Sequence, residues 1–124
     1  MVKMKWKVLV IDDEEIVRNV LNRALTLQGC SVQVTGDSRL ALDILHKETF
    51  DIVICDLRMP EVPGTEIIKQ VREISPKTLV IVITGSVSDE AQKIISEMKI
   101  KYCLIKPFGI NELFKIINEE LGNS

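Results

Sequence analysis

A parallel β-sheet covered by helices on both faces is the fold class the sequence predicts, on three observations. Short runs rich in β-branched residues alternate five times with longer segments of helical periodicity. Two of those runs contain VLVI and LVIVI, continuously apolar as strands buried on both faces must be. The connections between runs are short, and alternating strand and helix with such joints builds right-handed crossovers onto one sheet. At 124 residues the chain corresponds to a single domain over 1–124, with 1–4 and 122–124 expected as loose ends.

The first strand is predicted at Lys7–Ile11. Val17, Val20, Leu21, Ala24 and Leu25 then recur at helical spacing, and Gly29 ends that helix. Ser31–Thr35 is the second strand, followed by a stripe of Leu40, Ala41, Ile44 and Leu45. Ile52–Asp56 is the third strand; Ile67, Ile68, Val71 and Ile74 follow, stopped by Ser75-Pro76. Leu79–Thr84 is the fourth. Ser88-Asp89 then offers an N-cap before Ala91, Ile94, Ile95 and Met98. Tyr102–Lys106 is the fifth strand, and Leu113, Ile116, Ile117 and Leu121 form a last stripe before Gly122. All five stripes are packing faces and carry no function of their own.

Composition removes several function classes. Sixteen basic residues against eighteen acidic give a net charge of −2 without a basic block, so direct nucleic-acid binding is not expected. The longest aliphatic stretch, Leu79–Ile83, falls far short of the roughly 20 residues that span a bilayer. Lys3, Lys5 and Lys7 precede too short an apolar run for a signal peptide, and the expected compartment is the cytoplasm. Cys30, Cys55 and Cys103 have no CxxC spacing, and His46 is the only histidine, so neither a disulfide framework nor a zinc site is predicted.

In an open parallel sheet, ligands bind beyond the carboxyl ends of the strands. Here the first strand runs into Asp12-Asp13-Glu14-Glu15, the third into Asp56, the fourth into Thr84 and the fifth into Lys106-Pro107. Folding brings Asp12, Asp13 and Asp56 together, and carboxylates so close need a proton or a cation to relieve their repulsion. With oxygen donors only, the cation is hard, and Mg²⁺ suits a site that keeps room for phosphate oxygens. Lys106 supplies a second positive charge and Thr84 a hydroxyl, which together are the parts of a phosphoryl-transfer site. Asp56 is the best nucleophile because it stands alone at the end of a buried strand. Each residue also has a plainer use when taken singly. Asp13 could cap the first helix, Asp12 with Glu14 and Glu15 could form a solvated acidic turn, Asp56 could cap a turn, Thr84 could bond its own backbone, and Lys106 could be a surface lysine.

These residues resemble the receiver domain of two-component response regulators. The likeness covers essentially the whole chain and rests on VLVIDDEE, DIVICDLRMPEVPG, VIVITGS and CLIKPF in this order and spacing. It implies a doubly wound (βα)₅, flavodoxin-like fold with strand order 2-1-3-4-5. It implies Asp56 as phosphoacceptor and Asp12 and Asp13 as the acidic pair. Mg²⁺ would be ligated by Asp13, Asp56 and the carbonyl of Arg58, with Thr84 and Lys106 on the phosphoryl oxygens and a cis Lys106-Pro107 bond. The donor would be a phosphohistidine on a sensor histidine kinase or phosphotransfer protein. The acyl phosphate would hydrolyse slowly rather than turn over. Output would pass through the helix 4/strand 5/helix 5 face to an effector or a phosphorylation-linked homodimer. The chain would be either a single-domain regulator or a receiver excised from a longer protein.

Three positions depart from the family pattern. Cys103 stands where an aromatic residue usually couples to the threonine, and adjacent Tyr102 points to the opposite face of the strand. Pro63 replaces an Asp or Asn, with Gly64 expected to provide backbone freedom in that turn. Gly109 replaces a capping Asp. Arg58 and Ser86 flank the path of attacking water. A haloacid dehalogenase-type hydrolase would need an Asp where Arg58 stands, and a flavodoxin-like nucleotide binder would need a phosphate loop where DDEE stands. The remaining alternative is a receiver-like interaction module that signals without phosphorylation.

Overall fold

The computed structural model describes residues 5–122, and the alternation read from the sequence is realised element by element. The order is β1 (Lys7–Ile11), α1 (Glu15–Leu27), β2 (Ser31–Thr35), α2 (Ser38–Lys47), β3 (Ile52–Asp56), α3 (Gly64–Ile74), β4 (Leu79–Thr84), α4 (Asp89–Glu97), β5 (Tyr102–Ile105) and α5 (Ile110–Leu121). The strands form one parallel sheet in the order β2-β1-β3-β4-β5. The fifth strand stops one residue earlier than expected. Lys106, just beyond it, still donates its N–H to the Thr84 carbonyl (2.8 Å), and Pro107, whose ring fixes φ, follows. The ends expected to be loose, 1–4 and 122–124, lie outside the described residues except for Gly122, which closes α5 at φ 73°.

Period-two alternation sorts the sheet's side chains into two cores. Val8, Val10, Ile52, Ile54, Ile81, Ile83 and Leu104 pack with Leu21 and Leu25 of α1 and Leu113 and Ile117 of α5. Leu9, Ile11, Val53 and Cys55 pack with Ala41, Ile44 and Leu45 of α2 and Ile67 and Val71 of α3. Val82, beside Ile68, continues this face toward Ile94, Ile95 and Met98 of α4, with Cys103 among them. The three cysteines are free thiols, and burial pushes that of Cys55 well above its ordinary range. Among the described residues no helix is long and apolar enough to cross a membrane.

Caps set where the helices start. Asp37 accepts from the N–H groups of Arg39 and Leu40, and Ser88 accepts from that of Ala91, so α2 and α4 begin at side-chain caps. Asp13 does not cap α1; instead Asp12 Oδ1 accepts the Glu14 N–H at 2.8 Å, which leaves Asp13 available to the sheet edge. At α5, Glu112 reaches back to the Gly109 N–H at 3.4 Å, although glycine has no side chain to reciprocate. Gly29 ends α1 at φ 99°, its N–H bonded to Thr26 and that of Cys30 to Leu25.

Gly64 serves a purpose other than the one its turn suggested. Its φ is not positive, so conformational freedom is not the requirement. A Cβ there would stand 2.2 Å from the Asp56 carbonyl oxygen and 2.8 Å from Leu57 Cα, so the start of α3 is pressed directly against the end of β3. We expect Gly64→Ala to lower stability by roughly 2–4 kcal/mol, since rigid backbone must move aside. Chemical unfolding measures this, and a wild-type midpoint would show that the contact relaxes at little cost.

Candidate functional site

Four strand ends deliver their polar residues to one pocket. Asp12 follows β1, Asp56 ends β3, Thr84 ends β4 and Lys106 follows β5. Asp12 is fully buried, while Asp56 and Thr84 are nearly so. Asp13 is exposed, yet one oxygen each from Asp12, Asp13 and Asp56 lie within 4.8 Å of one another. The Lys106 side chain is only 15% exposed, and its Nζ is 2.9 Å from Asp56 Oδ2, 2.9 Å from Asp12 Oδ2 and 2.5 Å from Glu14 Oε1. This is no solvated surface lysine.

The plainer uses of Asp56 and Thr84 are realised alongside this convergence. Asp56 Oδ1 accepts the Arg58 N–H at 3.0 Å while Oδ2 meets Lys106. The Thr84 hydroxyl accepts the Ser86 N–H at 3.1 Å and donates to the Ser86 carbonyl over a long 3.4 Å. Arg58 is therefore tied to the site through its backbone, with its residue exposed. The Lys106-Pro107 bond is cis.

Charge is unevenly balanced in the pocket. Burial raises the Asp12 pKa, the Glu14 N–H and Lys106 oppose the rise, and the nearby Asp56 charge adds to it. Burial alone would lower that of Lys106, but Glu14, Asp56 and Asp12 outweigh it and hold the ammonium above its ordinary value. Asp12 Oδ2 is buried and has no hydrogen bond: Nζ stands 2.9 Å away as an ion partner, outside hydrogen-bonding direction. One ammonium thus faces three carboxylates with that of Asp13 beside them, and a buried carboxylate oxygen retains an unused lone pair. An all-oxygen donor set with that unsatisfied atom suits a hard divalent cation such as Mg²⁺.

Two participants carry no individual signal in the sequence. Glu14 reads there as part of an acidic turn, whereas in the fold it closes over Lys106 across 92 residues of chain. Arg18 belongs to no motif, yet its guanidinium donates to the Asp12 carbonyl at 2.8 Å. The repeated acidic run hints at the first; nothing in the spacing points to the second.

A five-stranded doubly wound sheet with this acid–lysine pocket at its carboxyl edge defines a receiver-type signalling domain. The chain belongs to the response regulator receiver domain family, which matches residues 8–118. Response regulator MprA of Mycolicibacterium vanbaalenii is 33% identical over 110 residues, covering 89% of this chain and 48% of that protein. The chain thus spans about half the length of that relative. The solved chemotaxis response regulator CheY4 of Vibrio cholerae superposes with a TM-score of 0.83 at 30% identity, over 94% of this chain and 98% of that one. Response regulator TrrA of Thermotoga maritima, solved in complex with Mg²⁺-BeF, gives a TM-score of 0.80 at 25% identity, over 94% and 98%. The chain is accordingly a receiver module of the kind that serves two-component signal transduction.

Proposed function

We propose that Asp56 accepts a phosphoryl group from a phosphohistidine on a sensor histidine kinase or phosphotransfer protein, and that the aspartyl phosphate switches partner binding. The observation that supports this most is the buried Asp56 carboxylate, held 2.9 Å from the Lys106 ammonium beside two further aspartates. Asp12, Asp13 and Asp56, with the Arg58 carbonyl, would hold Mg²⁺, whose chemistry in such a site is to neutralise charge on phosphoryl oxygens. A carboxylate oxygen of Asp56 forms the new P–O bond as the P–N bond to the donor imidazole breaks, and the imidazole leaves to take up a proton. Lys106 meets the charge on the transferring group. The Thr84 hydroxyl gives up its long donation to the Ser86 carbonyl when it turns to a phosphoryl oxygen, and its bond from the Ser86 N–H carries that movement onward. TrrA, with Mg²⁺ and a beryllofluoride that stands in for a phosphoryl group, supports the same use of this pocket.

A donor protein must approach beside Lys106. There a groove of about 520 Å³ runs between α1 and the start of α5, lined by Ile16, Val17, Val20, Pro107 and Phe108. Ile16 is 77% exposed and Val20 55%, so the rim offers apolar surface next to the reacting atoms.

The output route follows from where the side chains of β5 point. Tyr102 lies on the α5 side, its hydroxyl bonded to Glu120, so it cannot serve as the inward-turning ring. Cys103 packs on the α4 side against Ile94, Ile95 and Met98. The hydroxyls after Thr84 form a chain in its place: Ser86 donates its N–H to Thr84, Ser86 Oγ donates to Ser88 Oγ at 3.0 Å, and Ser88 caps α4. Movement of the Thr84 hydroxyl thus acts on α4 directly, beside exposed Val87 and Ile105 of the helix 4/strand 5/helix 5 face. Ser88→Ala is expected to alter phosphorylation-dependent partner or self-association severalfold, and Cys103→Tyr to leave it nearly unchanged. Titration of the phosphorylated variants measures both, and a large change on Cys103→Tyr alone would restore the aromatic route.

The function itself is tested by intact mass after incubation with a small acyl-phosphate donor. One added phosphoryl group that requires Mg²⁺ is expected. No adduct in a folded protein under a rapid assay would favour the receiver-like module that signals without phosphorylation.

A further inference from the structure

Asp12 is the most constrained carboxylate of the pocket. Its N–H donates to the Thr35 carbonyl at 3.1 Å, its Oδ1 accepts the Glu14 N–H, and its carbonyl accepts from Arg18 Nη1 at 2.8 Å. Arg18, half-buried, makes no ion pair with any carboxylate among the described residues. Its guanidinium lies against Gly36. A Cβ at Gly36 would stand 2.5 Å from Arg18 Nη1, 3.1 Å from its Cζ and 3.4 Å from the Asp12 carbonyl oxygen. The φ of Gly36 is not positive, so glycine stands there for space and not for conformation.

We infer that Arg18 is a positioning residue for the phosphoryl-accepting site, seated in the slot that Gly36 leaves and fixing the backbone from which the Asp12 carboxylate projects. This rests on the reading of the acidic pocket as a divalent-cation and phosphoryl site. Arg18 touches neither the cation donors nor the reacting carboxylate; it holds the Asp12 main chain from α1 while Thr35 holds it from β2. The unsatisfied Asp12 oxygen keeps its place beside Asp13 and Asp56 because the residue is tied from both sides. Supports of this kind around metal ligands alter affinity about tenfold or more when removed.

Gly36 makes the inference testable without touching Arg18. An alanine there meets the far end of a flexible side chain, so the guanidinium is displaced and the backbone is not. Mg²⁺ affinity of the unphosphorylated protein, followed by backbone amide shifts of Asp13, Asp56 and Thr84, is expected to fall about tenfold in Gly36→Ala and in Arg18→Met. The double variant should be no weaker than Arg18→Met, because the alanine then has nothing to displace. Arg18→Lys, which keeps a donor, should recover part of the loss. Unfolding midpoints without divalent ions should stay near wild type throughout. Wild-type affinity in both single variants overturns the inference, as does an alanine effect that persists without Arg18. A loss confined to the unfolding midpoint overturns it too, since that is a purely structural role. A wild-type protein that binds no Mg²⁺ overturns the reading of the pocket itself and the inference with it.

Discussion

Asp56→Asn is expected to gain no phosphoryl mass under conditions in which the wild-type protein gains one group. An amide cannot form the acyl phosphate, and loss of a nucleophile that acts within a unit removes a factor on the order of 10⁴ or more. The substitution suits the test because it preserves shape. The carbonyl oxygen of the new amide can still accept the Arg58 N–H, and Lys106 retains Asp12 and Glu14. One negative charge also leaves a crowded pocket, so the variant should unfold no earlier than wild type. Intact mass with and without Mg²⁺ reads the chemistry, and denaturant titration reads the fold. A persistent adduct would move the acceptor to Asp13, the exposed member of the acidic cluster.

Lys106→Met should lower stability in a way that Mg²⁺ repairs and slow phosphorylation in a way that it does not. Among the described residues the ammonium is the single cation between the buried Asp12 and Asp56 carboxylates. Removing one partner of a buried pair costs about 3–5 kcal/mol when a charge is left uncompensated. Asp12, already raised by burial, can take up a proton and limit the loss, so about 2–3 kcal/mol is expected in the absence of divalent ions. Mg²⁺ should recover much of that loss and stabilise the variant more than wild type, because Lys106 no longer competes for the same oxygens. Phosphorylation by a small donor should nevertheless slow roughly 10²–10³-fold, the usual consequence of removing one group that meets transition-state charge. Urea titrations with and without Mg²⁺, run beside phosphorylation kinetics, separate the two effects. Wild-type stability with an unchanged response to Mg²⁺ would return Lys106 to the status of a rim lysine.

Some features are legible in the residues and others are not. The runs Lys7–Ile11, Ser31–Thr35, Ile52–Asp56 and Leu79–Thr84 match β1 to β4 end for end; in β1, β3 and β4 a buried parallel strand leaves a dense aliphatic signature, while the edge strand β2 shows only the alternation of Val32 and Val34 with polar residues. The fifth strand is one residue shorter than its sequence suggests, although Lys106 beyond its end still donates to the Thr84 carbonyl. Ser88 is recognisable as a cap from its chemistry and place, and it does cap α4. Asp13 is offered by the sequence as a cap for α1, and only the fold shows that no side chain caps that helix while Asp12 Oδ1 takes the Glu14 N–H. The convergence of Asp12, Asp13 and Asp56 with Lys106 is inferable because strand ends in an open sheet face one edge.

By itself, then, the sequence determined the alternation of elements, the polar strand ends and the family to which the chain belongs. These are encoded locally, by periodicity and by residue type at an element's end. Only the tertiary structure decided that Glu14 closes on Lys106, that Gly64 is pressed onto the Asp56 carbonyl, and that Gly36 makes room for the guanidinium holding Asp12. Those contacts join atoms from distant elements at separations of a few ångströms. Long side chains choose among several partners according to space and charge that exist only after the sheet and helices have packed.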